Sequence, residues 1–574
     1  MNQKLENILN VSLDATEDEL RKADSLSTGY NWRDNTWEII VKYSGSLESI
    51  RNRYNVYIKE LLNYYAIIVA DKATIELISQ EDVIDYVEKP KSLYYQIERT
   101  KTAACVGSVR ADGNILSGKG VIVGVIDTGI DIFDNAFRNS DGTTRILNIY
   151  DQTTGEKYDK QSIDEYIRLN EDLSGGTLSY DNAPGVDNIM HGTDVSYIAA
   201  GSLGVAYEAD IIAVKMGNSI NNQFPRTTSL MDAIDYIIRK AIEYRKPVAV
   251  NISYGCNYGA HNGNTLLESF IDDISKSYRC VICVGSGNEA DKAIHFGGII
   301  NTGQVQTAYL SVGEYQSAID IQIWKNYWDT IDVMLINPRG EQIGIITEGR
   351  INRYETYNTE IITLLGEPSP YNIYQEIYIN LIPKTDYILS GIWQIVLMAG
   401  RAGEYNIWLP SSQALGYATA FNNPTADGTI TIPATARNCI AVGAYNAYTN
   451  SYAAFSGRGF DNSIRNVNAG VKPDITAPGV DISIARQRGN DITYRNVTGT
   501  SYAVPVVTGA AALLMQWGIV MGNDRFMYGE KLKAALIDGS KPVGLVGITR
   551  NDNQPDPRTG WGAVCLKNTL NKIL

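Results

Sequence analysis

The sequence predicts an α/β protein built on a doubly wound parallel sheet. A small α+β unit precedes this sheet, and an antiparallel β unit is inserted into it. Three observations predict this fold class. Short, almost continuously apolar segments alternate with amphipathic helical segments, as in a parallel sheet covered on both faces. A compact α+β pattern comes before them, and a run of short alternating segments interrupts them before the first pattern resumes.

Residues 1–96 form the first predicted unit. In chain order, the patterns predict a strand in WEIIVKY, a helix in SLESIRNRY, a strand in YYAIIVAD, a helix in KATIELISQ and a strand in VIDYVEK. Pro90 then opens the segment PKSLYYQIERTK, which we predict to be an extended linker. The unit is therefore a small α+β domain, joined by a linker to the α/β domain.

Residues 97–292 and 429–574 are the two predicted parts of the α/β domain. Buried parallel strands are predicted in VIVGVID, DIIAVK, VAVNISYG and CVICVGSGN, and the same style resumes at ARNCIAVGAYN. The segment SLMDAIDYIIRKAIEYR carries apolar residues at helical spacing, namely Leu230, Ile234, Ile237, Ile238, Ala241 and Ile242. Functional residues of such a sheet gather at the carboxyl ends of its strands.

Residues 293–428 have a different pattern. Short alternating segments such as AIDIQIWKNY, EIYINLI and EYNIWLP are separated by turn signals, among them Asn337-Pro338-Arg339-Gly340. This pattern predicts an antiparallel β-sandwich or jelly roll that interrupts the α/β domain.

Composition limits the function classes. The 574 residues are 44% hydrophobic and 20% charged, with a net charge of -14, which argues against nucleic acid and anionic membrane as main partners. The N-terminus, MNQKLENILNVSLDATEDELRKAD, has no apolar core of signal-peptide length, so we expect synthesis in the cytoplasm without direct export. The near-apolar run 503–522 is interrupted by Thr508 and Gln516, so we expect a buried helix rather than a membrane span.

The six cysteines are spread along the chain, and Cys280 and Cys283 form the one C-x-x-C. They lie in a predicted strand, where residues i and i+3 point to opposite faces, so we expect neither a redox pair nor a metal clip. Structural thiols in a reducing compartment are the favoured interpretation. We assign no metal site and no cofactor from the sequence.

Acyl transfer by a serine requires a hydroxyl nucleophile, an imidazole base and a carboxylate that orients the imidazole. The chain has three histidines. We expect His261, in the polar loop GAHNGN, to be solvated, and His295 has no acid or hydroxyl motif around it. His191 lies in MHGTDVSYIAAG, where a small-residue helix begins, and is the candidate base.

Asp127 and Ser501 are the candidates for the other two positions. Asp127 ends the strand VIVGVID and precedes a glycine turn, where it either caps the turn or orients an imidazole. Ser501, in VTGTSYAVPVV, either caps a buried helix or is displayed as a nucleophile at its end. Each motif alone is a modest signal.

The three motifs together resemble those of the subtilisin-like serine proteases, the subtilases. The order Asp127…His191…Ser501 is the subtilisin order, and the motifs VIDTGID, HGTDVSYIAAG and GTSYAVP are accompanied by GVAYEADIIAVK, NISYG, GSGNEAD and KPDITAPGVDI. The resemblance implies a serine endopeptidase in which Ser501 attacks, His191 is base and then acid, and Asp127 holds its tautomer. It also implies an oxyanion hole formed by the Asn288 amide and the Ser501 backbone N–H.

The same resemblance implies substrate-binding positions. Ser253, Tyr254 and Gly255 are expected to pair with the substrate backbone, a form of β-augmentation. The residues expected to line the wall of S1, the pocket for the residue before the scissile bond, are Gly285, Ser286 and Gly287.

Four residues near Ser501 and His191 bear on the geometry and electrostatics of the predicted site. Tyr502 and Val504 depart from the family pattern beside Ser501, and Asp194 stands where the family has a second histidine; we expect Tyr502 to alter the pocket and Asp194 the local pKa. We expect Pro505 to be tolerated because it falls in the first helical turn.

Residues 1–96 resemble subtilase prodomains, which implies a folding chaperone whose tail, Leu93-Tyr94-Tyr95-Gln96, lies in the active site. We predict self-cleavage close to Gln96, with Gln96 and Ile97 as the processing residues; the alternative is an ordinary α+β domain without processing. Three features narrow the resemblance to the Csp proteases of Clostridium-type spores: a prodomain for which we expect no signal peptide, the β insertion between Asn288 and Ser501, and the motif IYDQTTGE. That family implies a prodomain retained as a bound inhibitor, and a protein substrate that is a spore cortex-lytic zymogen cleaved during germination. The alternative is a catalytically silent scaffold in germination signalling.

Overall fold

The computed structural model describes residues 2–91, 94–95, 116–173, 183–217, 224–347, 349–460, 471–488, 491–544 and 555–573. They form an N-terminal α+β unit, a central α/β domain and a β insertion, in the arrangement that the sequence predicts. The exact domain boundaries at 96, 292 and 428 stay predictions.

The N-terminal unit is a five-stranded antiparallel sheet with helices packed against it. Its elements are α1 Asn7–Asp14, α2 Glu17–Lys22, α3 Asp24–Ser27, β1 Tyr30–Asn31, β2 Thr36–Tyr43, α4 Glu48–Tyr54, β3 Tyr57–Leu61, β4 Tyr65–Ala70, α5 Lys72–Ile78 and β5 Ile84–Glu88; the last described strand of the unit, β6 Tyr94–Tyr95, is not part of this sheet. All five predicted elements are present. The sequence reasoning missed α1–α3, β1 and β3, although the capping box of Thr16 and Glu19 marks the start of α2.

The central domain is a nine-stranded sheet in which β7 lies inside. Its first part contains β7 Ile122–Asp127, β8 Ile146–Asp151, β9 Glu156–Asp159, α6 Lys160–Leu173, α7 His191–Ala200, β10 Asp210–Lys215, α8 Thr227–Tyr244, β11 Val248–Ile252, β12 Tyr254–Gly255, α9 Leu266–Ser277 and β13 Cys280–Gly285. The neighbours of β7, β11 and β13 are parallel, as predicted. One apolar cluster contains α7 and covers one face, and a second contains α8 and α9 and covers the other.

The insertion consists of two antiparallel sheets, ordered β14-β23-β16-β21-β20-β19 and β18-β17-β22-β15-β24. Its strands are β14 His295–Ile300, β15 Val305–Val312, β16 Ile319–Asn326, β17 Ile331–Ile336, β18 Gln342–Ile345, β19 Ile351–Glu355, β20 Thr359–Leu365, β21 Tyr374–Pro383, β22 Gly391–Ala399, β23 Gly403–Trp408 and β24 Ala420–Phe421. A single apolar core includes side chains from both sheets. The antiparallel character is as predicted, and jelly-roll connectivity stays a prediction.

The chain then returns to the central domain and ends in it. The elements are β25 Ile440–Asn446, β26 Ser451–Tyr452, β27 Ile475–Pro478, β28 Ile482–Arg488, β29 Asp491–Val497, α10 Thr500–Met515, α11 Gly529–Asp538 and α12 Leu566–Ile573. Every residue of α10 is buried. In the described part of the chain, Thr500–Val520 is a helical stretch long and apolar enough to cross a membrane, and 89% of its most apolar window is buried inside the protein.

The N-terminal unit docks onto the starts of two helices of the central domain. The Lys91 backbone exchanges hydrogen bonds with Thr227, at the start of α8, of 2.6 and 2.7 Å. The Glu88 carboxylate accepts the backbone N–H of Leu266, at the start of α9, at 2.9 Å. The positive end of the α9 helix dipole also favours the Glu88 carboxylate at this position. The buried ammonium of Lys91 also bridges Glu6, at 2.8 Å, and Glu88, at 2.5 Å.

The N-terminal unit also packs on the insertion. Its apolar core incorporates Ile362, Leu364, Tyr378 and Ile382 from the insertion. Arg353 of β19 pairs with Asp14 at 2.9 Å and Glu19 at 3.0 Å. The unit is therefore held between the central domain and the insertion.

Replacing Lys91 tests how tightly this unit is held. Lys91→Met leaves the Glu6 and Glu88 carboxylates buried without their shared cation, and breaking such a group costs about 3–5 kcal/mol. We expect the midpoint of urea unfolding, followed by the fluorescence of the N-terminal tryptophans, to fall markedly. The exposed Lys72 is the control, and Lys72→Met is expected to leave the midpoint unchanged. An unchanged midpoint for Lys91→Met would show that this buried ion group does not hold the unit.

Candidate active site

Asp127 and His191 meet where the central strand ends and a helix begins. Asp127 is the last residue of β7 and His191 the first of α7, and both are buried, at 1% and 2% exposure. Their side chains lie 2.6 Å apart, between Asp127 Oδ1 and His191 Nδ1. Asp127 Oδ1 also accepts the backbone N–H of Thr128 at 2.8 Å, which fixes the carboxylate. This contact orients the imidazole and leaves Nε2 pointing away from the carboxylate.

Close approach of α7 to the strand end requires a glycine. A Cβ at Gly192 would lie 2.3 Å from the carbonyl oxygen of Gly129 and 2.9 Å from Asp127 Cβ. Any other residue after His191 would therefore push the helix, and with it the imidazole, away from Asp127.

Asp187 anchors the start of α7, a role that the sequence reasoning missed. Its carboxylate accepts from the backbone N–H groups of Met190, at 2.7 Å, and Thr193, at 2.8 Å, and from the Thr128 hydroxyl at 2.7 Å. It thus joins the helix start to the turn after β7. Asp187 lies four residues before α7, and an aspartate that bonds the backbone of the residues after it is a common turn signal, which was visible in the sequence.

Charge around His191 favours its protonated form. Burial opposes the charge, but the carboxylate of Asp127, helped by those of Asp187 and Asp194, outweighs it and raises the pKa of His191 above its usual 6.5. His191 Nε2 has no hydrogen-bond partner among the described residues. The imidazole can therefore take up a proton at Nε2 and keep it while the charge is balanced by Asp127.

Asp194 is a buried anion held by two arginines. Arg486 Nε donates to its Oδ1 at 2.9 Å, and Arg495 lies 3.2 Å from its Oδ2. Burial raises the pKa of Asp194 in spite of these arginines. The sequence indicated an effect of Asp194 on the local pKa, but the arginines, almost three hundred residues further along the chain, could not be found from a motif.

Ser501 lies at the start of α10, which packs against α7. The helix begins at Thr500, so Ser501 is its second residue. Gly499, just before the helix, has a φ of +149°, which favours glycine. The ring of Tyr502 lies 5.2 Å from the His191 imidazole. Ser501 and His191 are therefore carried by the starts of two adjoining helices.

Pro505 corrects one prediction. It lies inside α10 and not in its first turn, so its ring removes the N–H that would bond to the Ser501 carbonyl. The hydroxyl of Ser253 donates to that carbonyl oxygen instead, at 3.3 Å. The proline thus frees an acceptor that ties the nucleophile's backbone to the predicted substrate strand.

Asn288 is held in one orientation by Thr500. Its Oδ1 accepts the Thr500 backbone N–H at 3.0 Å and the Thr500 hydroxyl at 3.2 Å. Its Nδ2 is buried and has no hydrogen-bond partner among the described residues. The side chain therefore presents a fixed, unused N–H donor beside the start of α10.

The predicted substrate strand is occupied by the chain itself. Tyr254 and Gly255 form β12, which pairs antiparallel with Tyr94 and Tyr95. The predicted cleavage residues Gln96 and Ile97, the next two along the chain, lie outside the described residues.

The predicted S1 wall, Gly285 to Gly287, lies at the carboxyl end of strand β13. Gly285 is the last residue of that strand, and Gly287 has φ +96°, which favours glycine. A Cβ at Gly287 would meet the Thr431 side chain at 2.6 Å, so the segment containing Thr431 lies directly behind this wall.

The other two histidines lie elsewhere. We expected His261 to be solvated, and this is wrong: it is buried, with Nδ1 2.6 Å from the Ile430 carbonyl oxygen and its ring stacked on Trp408 at 4.2 Å. His295 stacks on the same tryptophan at 4.9 Å. The polar sequence around His261 concealed an aromatic partner that comes from the insertion.

No group of three or more metal-binding side chains occurs among the described residues. The described cysteines are free, and Cys280 and Cys283 belong to the apolar clusters on opposite faces of the sheet, as predicted. One buried site rich in carbonyl oxygens is filled by a side chain: the Arg145 guanidinium donates to Ala136, Ala200 and Ala209 at 2.6–2.8 Å.

Asp127 lies at the end of a central parallel strand, His191 and Ser501 lie at two adjoining helix starts, and Asn288 is held in one orientation beside them. This arrangement is typical of the subtilases. The subtilase family model matches residues 118–368 and 401–562, so the chain belongs to the subtilase family. The model of the Csp protease B prodomain matches residues 3–91.

Among solved structures, the chain is similar to the CspB protease of Clostridium perfringens. The two are 34% identical, with a TM-score of 0.74 over 82% of this chain and 96% of that one. Curated relatives include subtilase-type proteinase RRT12 of Saccharomyces cerevisiae, 34% identical over 19% of each chain. Another is subtilisin-like protease 10 of Arthroderma otae, 33% identical over 21% of this chain and 27% of the relative. The chain spans less than a third of the length of these curated relatives.

The raised pKa of His191 predicts the pH dependence of Ser501 reactivity. The base must be neutral to accept a proton, so reactivity rises with pH to a plateau, with an apparent pKa above 6.5. Asp194→Asn removes a nearby carboxylate and leaves two arginines uncompensated, so we expect the apparent pKa to fall. The measurement is the rate of phosphonylation of Ser501 between pH 5 and 9. Asp332→Asn, at an exposed position of the insertion, is the control, and an unshifted profile in Asp194→Asn would contradict the electrostatic role.

Proposed function

We propose that the chain is a serine endopeptidase in which Ser501 is the nucleophile. The observation that carries the proposal is the buried 2.6 Å contact between His191 Nδ1 and Asp127, with Nε2 left to accept a proton. Ser501 Oγ attacks the scissile carbonyl carbon while its proton passes to His191 Nε2. The resulting imidazolium is stabilised by Asp127, which stays ionised.

The carbonyl oxygen becomes an oxyanion as Oγ bonds to the carbon. Asn288 Nδ2 and the Ser501 backbone N–H are the proposed donors to it, and the contact of Asn288 Oδ1 with Thr500 sets the amide in place before reaction. Loss of one such donor costs about 3–4 kcal/mol of barrier. The start of α10 adds the positive end of a helix dipole.

Collapse of the tetrahedral intermediate breaks the peptide bond. His191 gives its proton to the leaving amine, and the acyl group stays on Ser501. A water then donates a proton to His191 as it attacks the ester, and a second collapse releases the carboxylic acid and restores the Ser501 hydroxyl. None of these reaction steps requires a metal or cofactor.

Substrate is proposed to bind as an extended strand beside Tyr254 and Gly255. The antiparallel pairing of these residues with Tyr94 and Tyr95 supports this mode, because the chain's own segment already makes the main-chain contacts of β-augmentation. Ser253 precedes Tyr254 and contacts the Ser501 backbone, and Gln96 comes directly after Tyr95. This register supports self-cleavage between Gln96 and Ile97.

The N-terminal unit is proposed to remain as a bound inhibitor after cleavage. It is held at α8, at α9 and on the insertion, and its last described strand lies on the substrate strand. Another protein must therefore displace this strand in order to be cleaved.

Similarity to the Csp proteases leads us to propose a physiological role. The substrate would be the zymogen of a spore cortex-lytic enzyme, cleaved during germination, by a protease made in the cytoplasm and retained in the spore. The rival proposal is a catalytically silent scaffold. The intact Asp127–His191 contact and the oriented Asn288 favour the enzyme.

Labelling with a fluorophosphonate distinguishes the two. The wild-type chain is expected to be labelled at Ser501, both as purified and after removal of the N-terminal unit by limited proteolysis, and Ser501→Ala is expected to show no labelling. Ser275→Ala replaces another buried serine and serves as the control that keeps full labelling. No labelling of wild type under either condition would favour the scaffold.

A further inference from the structure

A cavity of about 400 Å³ lies between the insertion and the central domain, at residues that the proposed peptidase mechanism does not use. Its size falls in the range of sites for small molecules. The insertion contributes Trp324, Asn406 and Trp408 to the described walls, and the central domain contributes residues around His261, around Lys472 and along α11.

One side of this cavity is aromatic and firmly packed. The Trp408 ring is sandwiched between His261, at 4.2 Å, and His295, at 4.9 Å, and its Nε1 donates to the Gly428 carbonyl at 2.9 Å. Trp324 also lines the cavity, and its buried Nε1 has no hydrogen-bond partner among the described residues. Because the faces of Trp408 are covered by the two imidazoles, the wall offers the Trp324 ring and its unused donor, beside the packed Trp408 and His261.

The other side is cationic, which is unusual in a chain of net charge -14. Lys472 and Lys533 share the single carboxylate of Asp474, at 2.7 and 3.0 Å. Arg437 and Arg458 also line the cavity, and the second carboxylate in the lining, Glu530, is more than half exposed. Among the described lining residues, four cations therefore stand against two carboxylates, so an anion would be complementary to them.

The wall of this cavity is also the back of the predicted S1 wall. Gly428 and Ile430 line the cavity, and Thr431, beside them, donates its N–H to the Ser286 carbonyl at 3.1 Å. Gly459 lines the cavity, and Gly457 donates to the Gly287 carbonyl at 2.8 Å. Two short segments thus have one face on the cavity and the other on residues expected to bind substrate.

We propose that this cavity is a second binding site, for a small anion with an aromatic ring body, and that its occupancy changes the S1 wall. The ring packs against the tryptophan side, and the anionic group lies toward the lysine and arginine side. The ligand displaces or orders segments 428–432 and 457–459, and through them Ser286 and Gly287. The coupling is local, since each segment spans both sites within three residues.

The probe is 8-anilinonaphthalene-1-sulfonate, titrated calorimetrically into the full-length Ser501→Ala chain, which keeps the binding result independent of peptidase activity. We expect saturable binding with one site per chain. N-phenyl-1-naphthylamine, which has the same rings without the sulfonate, is expected to bind at least about tenfold more weakly, as for loss of one charge-assisted contact. Ile537→Trp fills the cavity from α11 and is expected to abolish binding. Ala534→Trp, at an exposed position of the same helix outside the lining, is the matched control.

Binding that persists in Ile537→Trp, equal affinity for the neutral analogue, or no binding at all would each overturn the assigned site. The coupling has its own test in the wild-type chain: saturating probe is expected to change the rate at which a peptidyl fluorophosphonate labels Ser501, and Ile537→Trp is expected to remove that change. A rate that does not respond to the probe would overturn the coupling and leave the binding result standing. Failure of labelling without probe would instead count against the proposed peptidase.

Discussion

The contact between His191 and Asp127 sets the geometry on which the rest of the site depends. It exists because the first turn of α7 lies against the end of β7, and that packing leaves no space for a Cβ at Gly192. Asp187 fixes the same helix start through hydrogen bonds to backbone N–H groups. Burying the carboxylates of Asp127 and Asp187 would be costly without the imidazole and these donors. The contacts that stabilise the local fold therefore also orient the proposed base.

Helix α10 carries the other half of the site, and a few hydrogen bonds at its start hold that half in place. Thr500 orients Asn288 through its backbone N–H, and Pro505 releases the Ser501 carbonyl to the Ser253 hydroxyl. The proposed donor, nucleophile and substrate strand are thereby connected through the buried start of α10. A helix that is fully buried cannot shift without opening the core, and this keeps the three groups in register.

Motifs with a local cause could be predicted from the sequence, and contacts between distant segments could not. The apolar runs predicted the parallel sheet because buried parallel strands are apolar on both faces. The proximity of Asp127 and His191 was implied only by the resemblance of their motifs to those of the subtilases. In contrast, the arginine partners of Asp194 come from the β28–β29 hairpin, and Trp408, on which His261 stacks, comes from the insertion. Both segments are far from their partners in the sequence. Pro505 was misplaced because the exact start of a helix is poorly marked in sequence.

The N-terminal unit is the proposed first substrate of the chain. Its last described strand lies on Tyr254 and Gly255, in the antiparallel register expected of a peptide in the site. The most direct test is intact mass and N-terminal sequencing of the purified wild-type chain beside Ser501→Ala. The account predicts two fragments in the wild type, the second beginning at Ile97 and both migrating together under native conditions, and one uncut chain in the variant. An uncut wild-type chain, or the same cleavage in Ser501→Ala, would contradict it.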